Sequence, residues 1–335
     1  MKIAIHNSKN SFSDRWIEYC NNNNIEFKLV NCYDTKIIDQ ISDCDGLMWH
    51  YHHGNYKDML FAKELLFALE QTGKKVFPNF NTSWHFDDKV GQKYLLESLK
   101  LPHVKTYVFY DKKTAKKWIN EVNFPKVFKL RGGAGSTNVS LIKSKREALK
   151  KVNIAFKRGF SQFNRAEHLN ESYRIFKINY NFIHLIKGVV RSIIGTQFSS
   201  LTKREKGYIY FQDFIPNNDH DIRIIIIGDK AFGLKRYTRE NDFRASGSGK
   251  ISYVKEDIPI ACLRMSFELN KKLNTQSVAL DFVFDEENNP LIVEISYGFA
   301  INAYDLCPGY WDEQLKWNET KFNPQYWMIE NFIKK

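Results

Sequence analysis

The segment PKVFKLRGGAGSTNVSLI, residues 125–142, decides how the rest of the chain is read. PKVFKL (125–130) is an apolar strand, RGGAGS (131–136) a glycine-rich turn and TNVSLI (137–142) a second strand, so the glycines close a hairpin. Gly132, Gly133 and Gly135 let a backbone pass close to an anion and aim its N–H groups at phosphate oxygens; an ordinary flexible turn is the competing reading. The turn lacks the G-K-[ST] ending of a P-loop and no helix follows it directly, so neither that loop nor a dinucleotide fingerprint fits. Lys129 sits in the apolar VFKL run, where a charge is costly unless an anion pairs with it, or unless an edge strand turns it to solvent.

Upstream, the first 85 residues alternate as a small parallel α/β domain. Strands are expected at KIAIHN (2–7), EFKLVN (26–31), GLMWHYH (46–52) and residues 75–78, with helices over 12–20 and 57–71. A second unit, 86–156, places helices over 88–100 and 113–122 around strand TYVFYD (106–111) and the glycine hairpin. Residues 157–206 form a basic insertion. From Gly207 the chain is strand-rich: YIYFQDFI, DIRIIIIG, AFGLKRYT, a helix near 257–273, then SVALDFVFD and PLIVEIS. The expected class is therefore α/β, opened by a parallel-sheet domain.

Two acids interrupt apolar strands, Asp281 in VALDFVF and Glu294 in LIVEIS. A hairpin across 286–290 brings them to neighbouring positions, where carboxylates repel unless a cation neutralises them. Hard oxygens on a hairpin suit Mg²⁺ shared with substrate phosphates; two solvated strand acids are the plainer alternative.

The order and spacing of these pieces resemble the ATP-grasp superfamily of carboxylate–amine ligases, in particular the branch containing ribosomal-protein glutamate ligases and glutathione synthetases. DDKVGQKYLLESLKLP (87–102), the glycine hairpin, YFQDFIPNNDHDIRIIIIGDK (210–230), RENDFRASGSG (239–249), LDFVF (280–284) and LIVEIS (291–296) are similar to its motifs, in the family's order, over 86–150 and 207–300. Residues 1–78 look like the small domain that precedes that fold, and the resemblance implies that a two-part clamp of antiparallel sheets follows it. The resemblance implies ATP and Mg²⁺, with Lys89, Lys129, Gly133, Gly135 and Ser136 at the phosphates. It implies Gln212, Asp213 and Phe214 at adenine and Asp221 at the ribose hydroxyls. Arg223 and Arg244 would stabilise an acyl-phosphate and its tetrahedral adduct, and Asp281, Glu294 and Ser296 would hold the metal. The family pattern has Asn where Ser296 stands, which puts a second ion in doubt; Asn302 is a stand-in. The implied reaction joins a carboxylate to an amine with release of ADP and phosphate. A phosphotransferase on the same clamp and a non-catalytic nucleotide-binding scaffold are the alternatives.

The net charge of +12 is unevenly spread, with residues 142–206 holding 15 basic against 4 acidic residues. That concentration argues against a nucleic-acid coat. Within it, YRIFKINYNFIHLIKGVVRSIIGTQF (173–198) spaces Arg174 with Lys177 and Lys187 with Arg191 on shared helix faces. It reads as an insertion packed on the core, or as a basic amphipathic helix that meets an anionic membrane or a lipid-linked acceptor. Tyr304, Tyr310, Trp311, Trp317, Tyr326 and Trp327 read first as a wrapped tail and second as ring faces for a sugar. The tail also resembles, more loosely, those of ATP-grasp proteins of surface-polysaccharide biosynthesis; with ring faces from the tail and positive charge from the insertion at one opening, an anionic sugar acid is the expected carboxylate substrate. His50, His52 and His53 suggest a pocket or surface cluster, since no third metal ligand is evident beside His50 and His52. Five cysteines without a C-x-x-C pair, no secretory segment after Met1 and no 18-residue apolar run point to a reduced cytoplasmic protein, peripheral to a membrane at most.

Overall fold

The first four strands, β1 (Ile3–His6), β2 (Phe27–Val30), β3 (Gly46–Met48) and β4 (Lys75–Phe77), run parallel in the order β2-β1-β3-β4. Every residue of β1 is buried, as expected of an inner parallel strand covered on both faces. Helix α1 (Phe12–Asn22) buries Phe12, Trp16 and Cys20 at a spacing of four, and short α2 (Ile37–Gln40) follows β2. Helix α3 (Tyr56–Gln71) buries Ala62, Leu66 and Leu69, and the Asn55 side chain caps it by accepting from the Lys57 amide. The computed structural model describes residues 1–133, 138–162, 204–240 and 242–334; Gly135, Ser136 and the 173–198 segment of the sequence reading lie outside them.

Short α4 (Phe80–Ser83) and α5 (Lys89–Leu99) lead into the second unit, and Asp88 caps α5 by accepting from the Gly91 amide at 2.9 Å. A four-stranded antiparallel sheet is built from β5 (Thr106–Phe109), β6 (Lys126–Lys129), β7 (Ser140–Ile142) and β8 (Ile209–Asp213), in the order β5-β8-β6-β7. Helices α6 (Lys112–Glu121) and α7 (Lys145–Ala155) cover one face, packing on Phe128, Leu130 and Phe211. By the two-residue alternation of strands, Val127, Lys129 and Gln212 face the other way. Because β6 is an inner strand, Lys129 is not an edge lysine; it is 6% exposed.

The larger sheet contains β9 (His220–Ile227), β10 (Lys230–Tyr237), β11 (Ile251–Ser252), β12 (Val278–Phe284), β13 (Pro290–Ser296), β14 (Gly309–Asp312) and β15 (Trp317–Glu319). Its order is β13-β12-β9-β10-β14-β15, with β11 paired to β10. One face carries Ile222, Ile224, Ile226, Leu280 and Phe282 against α5 and α8 (Ile260–Leu273). The opposite face begins apolar, with Ile225, Ile227, Phe232 and Ala279 sharing one core with the N-terminal sheet and α9 (Pro324–Lys334). Further along the same face, alternation places Asp221, Arg223, Arg236 and Asp281.

Two expectations are corrected here. The strand over 46–52 ends at Met48, because the Tyr51 amide folds back to the Trp49 carbonyl at 3.0 Å, so His50 and His52 share no strand face. The aromatic tail is packed into the fold and not held out as a row of ring faces: it adds β14 and β15 to the large sheet and packs rings on one another, leaving Tyr310, Trp317 and Tyr326 half-buried. Trp311 lies 4.5 Å from Trp317 and Phe322 stacks on Trp327 at 4.7 Å. The other reading of that segment, a wrapped tail, is what the chain forms. All five cysteines are free and buried, and no described helix is long and apolar enough to cross a membrane.

Candidate functional site

Between the two antiparallel sheets, and closed at one end by loops of the N-terminal domain, lies a cleft of about 740 Å³. That volume falls within the range of cofactor and small-ligand sites. One end is apolar: Val127, Phe214, Ile215, Phe243, Val283 and Val293 line a slot, with Phe214 edge-on to Phe243 at 5.7 Å. The Gln212 side chain is committed to Thr106 Oγ1 (3.2 Å) and the Val293 carbonyl (3.4 Å), and Asp213 pairs with Lys126 at 2.6 Å. These bonds hold the end of β8 beside the slot.

Deeper in, two charge clusters face each other. In the first, Lys89 Nζ donates to the Gly133 carbonyl at 2.6 Å and pairs with Glu294 Oε1 at 3.1 Å. Burial works against the Lys89 cation, but Glu294 and then Asp87 raise its pKa above the ordinary value. Lys129 forms no hydrogen bond or ion pair among the described residues, and burial lowers its pKa to about 8 despite Glu294. The Gly133 amide donates to Asp87 Oδ1 at 2.7 Å, and the Gly132 amide reaches Glu205 Oε1 at 3.4 Å. Burial pushes the Asp87 carboxyl up to about 6, partly offset by Lys89 and the Gly133 amide. Gly133 has φ +108°, a conformation open to glycine.

The second cluster is a ladder of cross-strand pairs on the large sheet. Arg223 stands opposite Asp281 and grips it at 2.5 and 2.6 Å; Arg236 stands opposite Asp221 and grips it at 2.7 Å twice. Arg236 Nη2 also reaches Asp281 at 3.0 Å. Burial opposes ionisation of both acids. For Asp281 two guanidinium groups prevail and hold it well below the usual carboxylate range, whereas Asp221 has one chief partner and its pKa is raised. Asp221 lines the cleft, yet both its oxygens are taken by Arg236, so the structure gives it an arginine where the resemblance implied a ribose.

The expected metal set is only partly convergent. Asp281 and Glu294 are direct cross-strand partners, as the hairpin reading required. Ser296 is turned into its own loop: its hydroxyl donates to the Gly298 carbonyl (3.0 Å) and accepts from the Gly298 amide (3.2 Å). Two carboxylates facing one cleft fit an ion that completes its shell from phosphates and water. Ser296 does not add a well-placed third donor, and Asn302 lines the cleft nearby. Arg244 also lines the cleft and pairs with Asp242 at 2.7 Å.

Sequence reasoning missed Arg236, Asp87 and Ser11, whereas the histidine cluster read as a pocket or surface group does line the cleft. Arg236 was within reach, because a two-residue turn at Gly228–Asp229 sets Ile227 against Lys230 and thereby Asp221 against Arg236. Nothing local marks Asp87. The wall holds Ser11, His50, His52 and His53. His50 Nδ1 accepts from the Phe12 amide (3.2 Å) and contacts Ser11 Oγ (2.8 Å), while burial takes its pKa down to about 3. The ring is thus neutral, with its proton on Nε2.

No protein-family model matches the sequence, and no curated protein does. Solved structures do match. Over its whole length the chain is similar to 70% of the biotin carboxylase domain of the 2-oxoglutarate carboxylase of Hydrogenobacter thermophilus, in complex with ADP and magnesium, at 12% identity and a TM-score of 0.61. It covers all of a RimK-domain ATP-grasp protein from Sphaerobacter thermophilus at 14% identity and 0.56. It covers 98% of D-alanine–D-alanine ligase from Bacillus anthracis at 13% and 0.58. At such identities the likeness is one of fold, and the fold is that of the ATP-grasp proteins.

Proposed function

We propose that the protein is an ATP- and magnesium-dependent ligase that joins a carboxylate to an amine by way of an acyl-phosphate. The observation that carries this reading is the buried Lys129, unpaired among the described residues, beside Lys89 and Glu294 at the deep end of an apolar slot between two antiparallel sheets. The slot takes the base; Lys89 and Lys129 meet the phosphates as point charges. A carboxylate oxygen attacks the γ-phosphorus and the bond to ADP breaks. The amine lone pair then adds to the acyl carbon, phosphate leaves, and the nitrogen gives up a proton. Arg223 and Arg244 would stabilise the charge that develops on the acyl-phosphate and its adduct. Magnesium, held by Glu294 and Asp281, would neutralise phosphate charge.

The reading takes a small-molecule or lipid-linked anionic acceptor, such as a sugar acid of a polysaccharide precursor. Its support is the wall of Ser11, His50 and Asn302, since none of the described tail rings lines the cleft. A contact of 173–198 with a membrane belongs to the same proposal and lies outside the described residues. A non-catalytic nucleotide-binding scaffold is the second reading, favoured by the internal bonds of Ser296 and the saturation of Asp281. Incubation with ATP, Mg²⁺ and pools of amino acids and sugar acids separates them. An amide product with ADP and phosphate supports the ligase. Tight nucleotide binding with no ADP release across the pools supports the scaffold, and a stable phosphorylated product formed without amine identifies a phosphotransferase.

A further inference from the structure

The helices behind the small sheet carry charge for which the cleft has no use. Residues 112–158 hold 14 Lys and Arg against 2 Asp and Glu; of the 14, Lys129 faces the cleft and Lys126 and Arg131 pair with Asp213 and Asp88, and the rest lie on or beside the two helices. Helix α6 turns Ala115 and Ile119 into the core and leaves Lys113, Lys116 and Lys117 exposed. Helix α7 buries Ala148 and Val152 and leaves Lys145, Arg146 and Lys150 exposed. The two helices pack side by side on the same sheet face. Among the described residues none of these six cations forms an ion pair. Of the acids on the two helices, Glu121 is exposed at the end of α6 and Glu147 is occupied by the Lys143 amide at 2.8 Å.

We infer that the α6–α7 face docks the protein on an anionic lipid bilayer. Like charge gathered on one face is costly to the folded state and attracts a polyanion. Clusters of this size match the number of cations that hold proteins on acidic leaflets. Five of the six are lysines, point charges suited to a plane of mobile headgroups, whereas strand and base readers combine arginine forks with aromatic platforms. The one ring on the two helices, Trp118, is packed against Tyr107, Phe109 and Phe211 and is not offered to a base. Because Val127, Lys129 and Gln212 point from the opposite sheet face, docking leaves the cleft open. The inference goes beyond the ligase reading and stands whether or not that reading holds.

The test uses the full chain and sedimentation with vesicles of phosphatidylcholine alone, or of phosphatidylcholine and phosphatidylglycerol in equal parts. Binding is expected on the acidic vesicles only, and it weakens as salt is raised. Two variants, with Lys113, Lys116 and Lys117 or with Lys145, Arg146 and Lys150 changed to Gln, should each bind the acidic vesicles roughly a hundredfold more weakly, at about fivefold per cation. Their affinity for ATP should not change, which also reports that they are folded. A third variant, with Lys177, Lys187 and Arg191 changed to Gln, tests the other basic segment. No binding to acidic vesicles, full binding by both helix variants, or tighter binding of a mixed-sequence RNA or duplex DNA at the same ionic strength would each overturn the inference.

Discussion

The two charge clusters of the cleft contain similar residues and are wired in opposite ways. On the large sheet, Asp221, Arg236, Asp281 and Arg223 face one another directly across strands, and each acid is gripped by a two-pronged guanidinium. On the small-sheet side, Lys129 is buried with no hydrogen bond or ion pair among the described residues, Lys89 is shared between a carbonyl and Glu294, and the glycine-turn amides rest on Asp87 and Glu205. A saturated cluster is part of the scaffold, because breaking it strands a buried charge. An unsaturated one leaves the folded state carrying a cost that an anionic ligand relieves. The contrast separates groups already held by a partner, of which Arg223 and Asp281 also face the cleft, from groups left to meet an anionic ligand.

The sharpest way to break the contrast is to remove one arm of the saturated ladder. Arg236→Met should destabilise the protein by about 3–5 kcal/mol, the scale for leaving a buried ion-pair partner uncompensated. Denaturant unfolding measures it; a loss below about 1 kcal/mol would show that the ladder is not structural.

Lys129→Met should do the reverse. ATP affinity and turnover should fall by about two orders of magnitude, as expected for a desolvated phosphate contact, while thermal stability holds or rises. Calorimetric titration and a melting curve on the same sample decide it, and unchanged ATP affinity would remove Lys129 from the phosphate site.

The pH dependence sharpens the same point. The folded-state pKa of Lys129, about 8, lies below its unfolded value, so between the two the unfolded chain binds more protons. Stability should therefore rise with pH from about 8 towards 10.5, and the rise should be smaller in Lys129→Met. ATP affinity in the native protein should fall over that range as the ammonium is lost. Parallel pH profiles of the two proteins would contradict this.

Smaller effects are expected from the groups that occupy the turn and the third metal position. Asp87→Asn removes a carboxylate from the Gly133 amide and should tighten ATP binding several-fold, read by titration. Ser296→Ala should cost about 1 kcal/mol through the lost Gly298 bond and leave the Mg²⁺ requirement unchanged. A shifted Mg²⁺ titration in that variant would return Ser296 to the metal.

Elements with strong local signals were legible in advance. The hairpin that sets Asp281 against Glu294, the glycine hairpin, and the alternation of DIRIIII that puts Asp221 and Arg223 on one sheet face all follow from a strand period of two and from turn chemistry. Residue type and spacing therefore determined the α/β class and the facing of Asp221, Arg223, Asp281 and Glu294, while the clamp itself was implied by the resemblance. Partnership was decided only by the tertiary structure. Whether Lys129 lies on an inner or an edge strand depends on β8 returning from residue 209 to insert between β5 and β6, a long-range pairing that no local pattern encodes. The same holds for Asp87 meeting Gly133, for the tail rings closing on the N-terminal domain, and for α6 and α7 presenting one basic face. Local sequence sets which face a side chain takes, and only the packed chain sets which charge stands across from it.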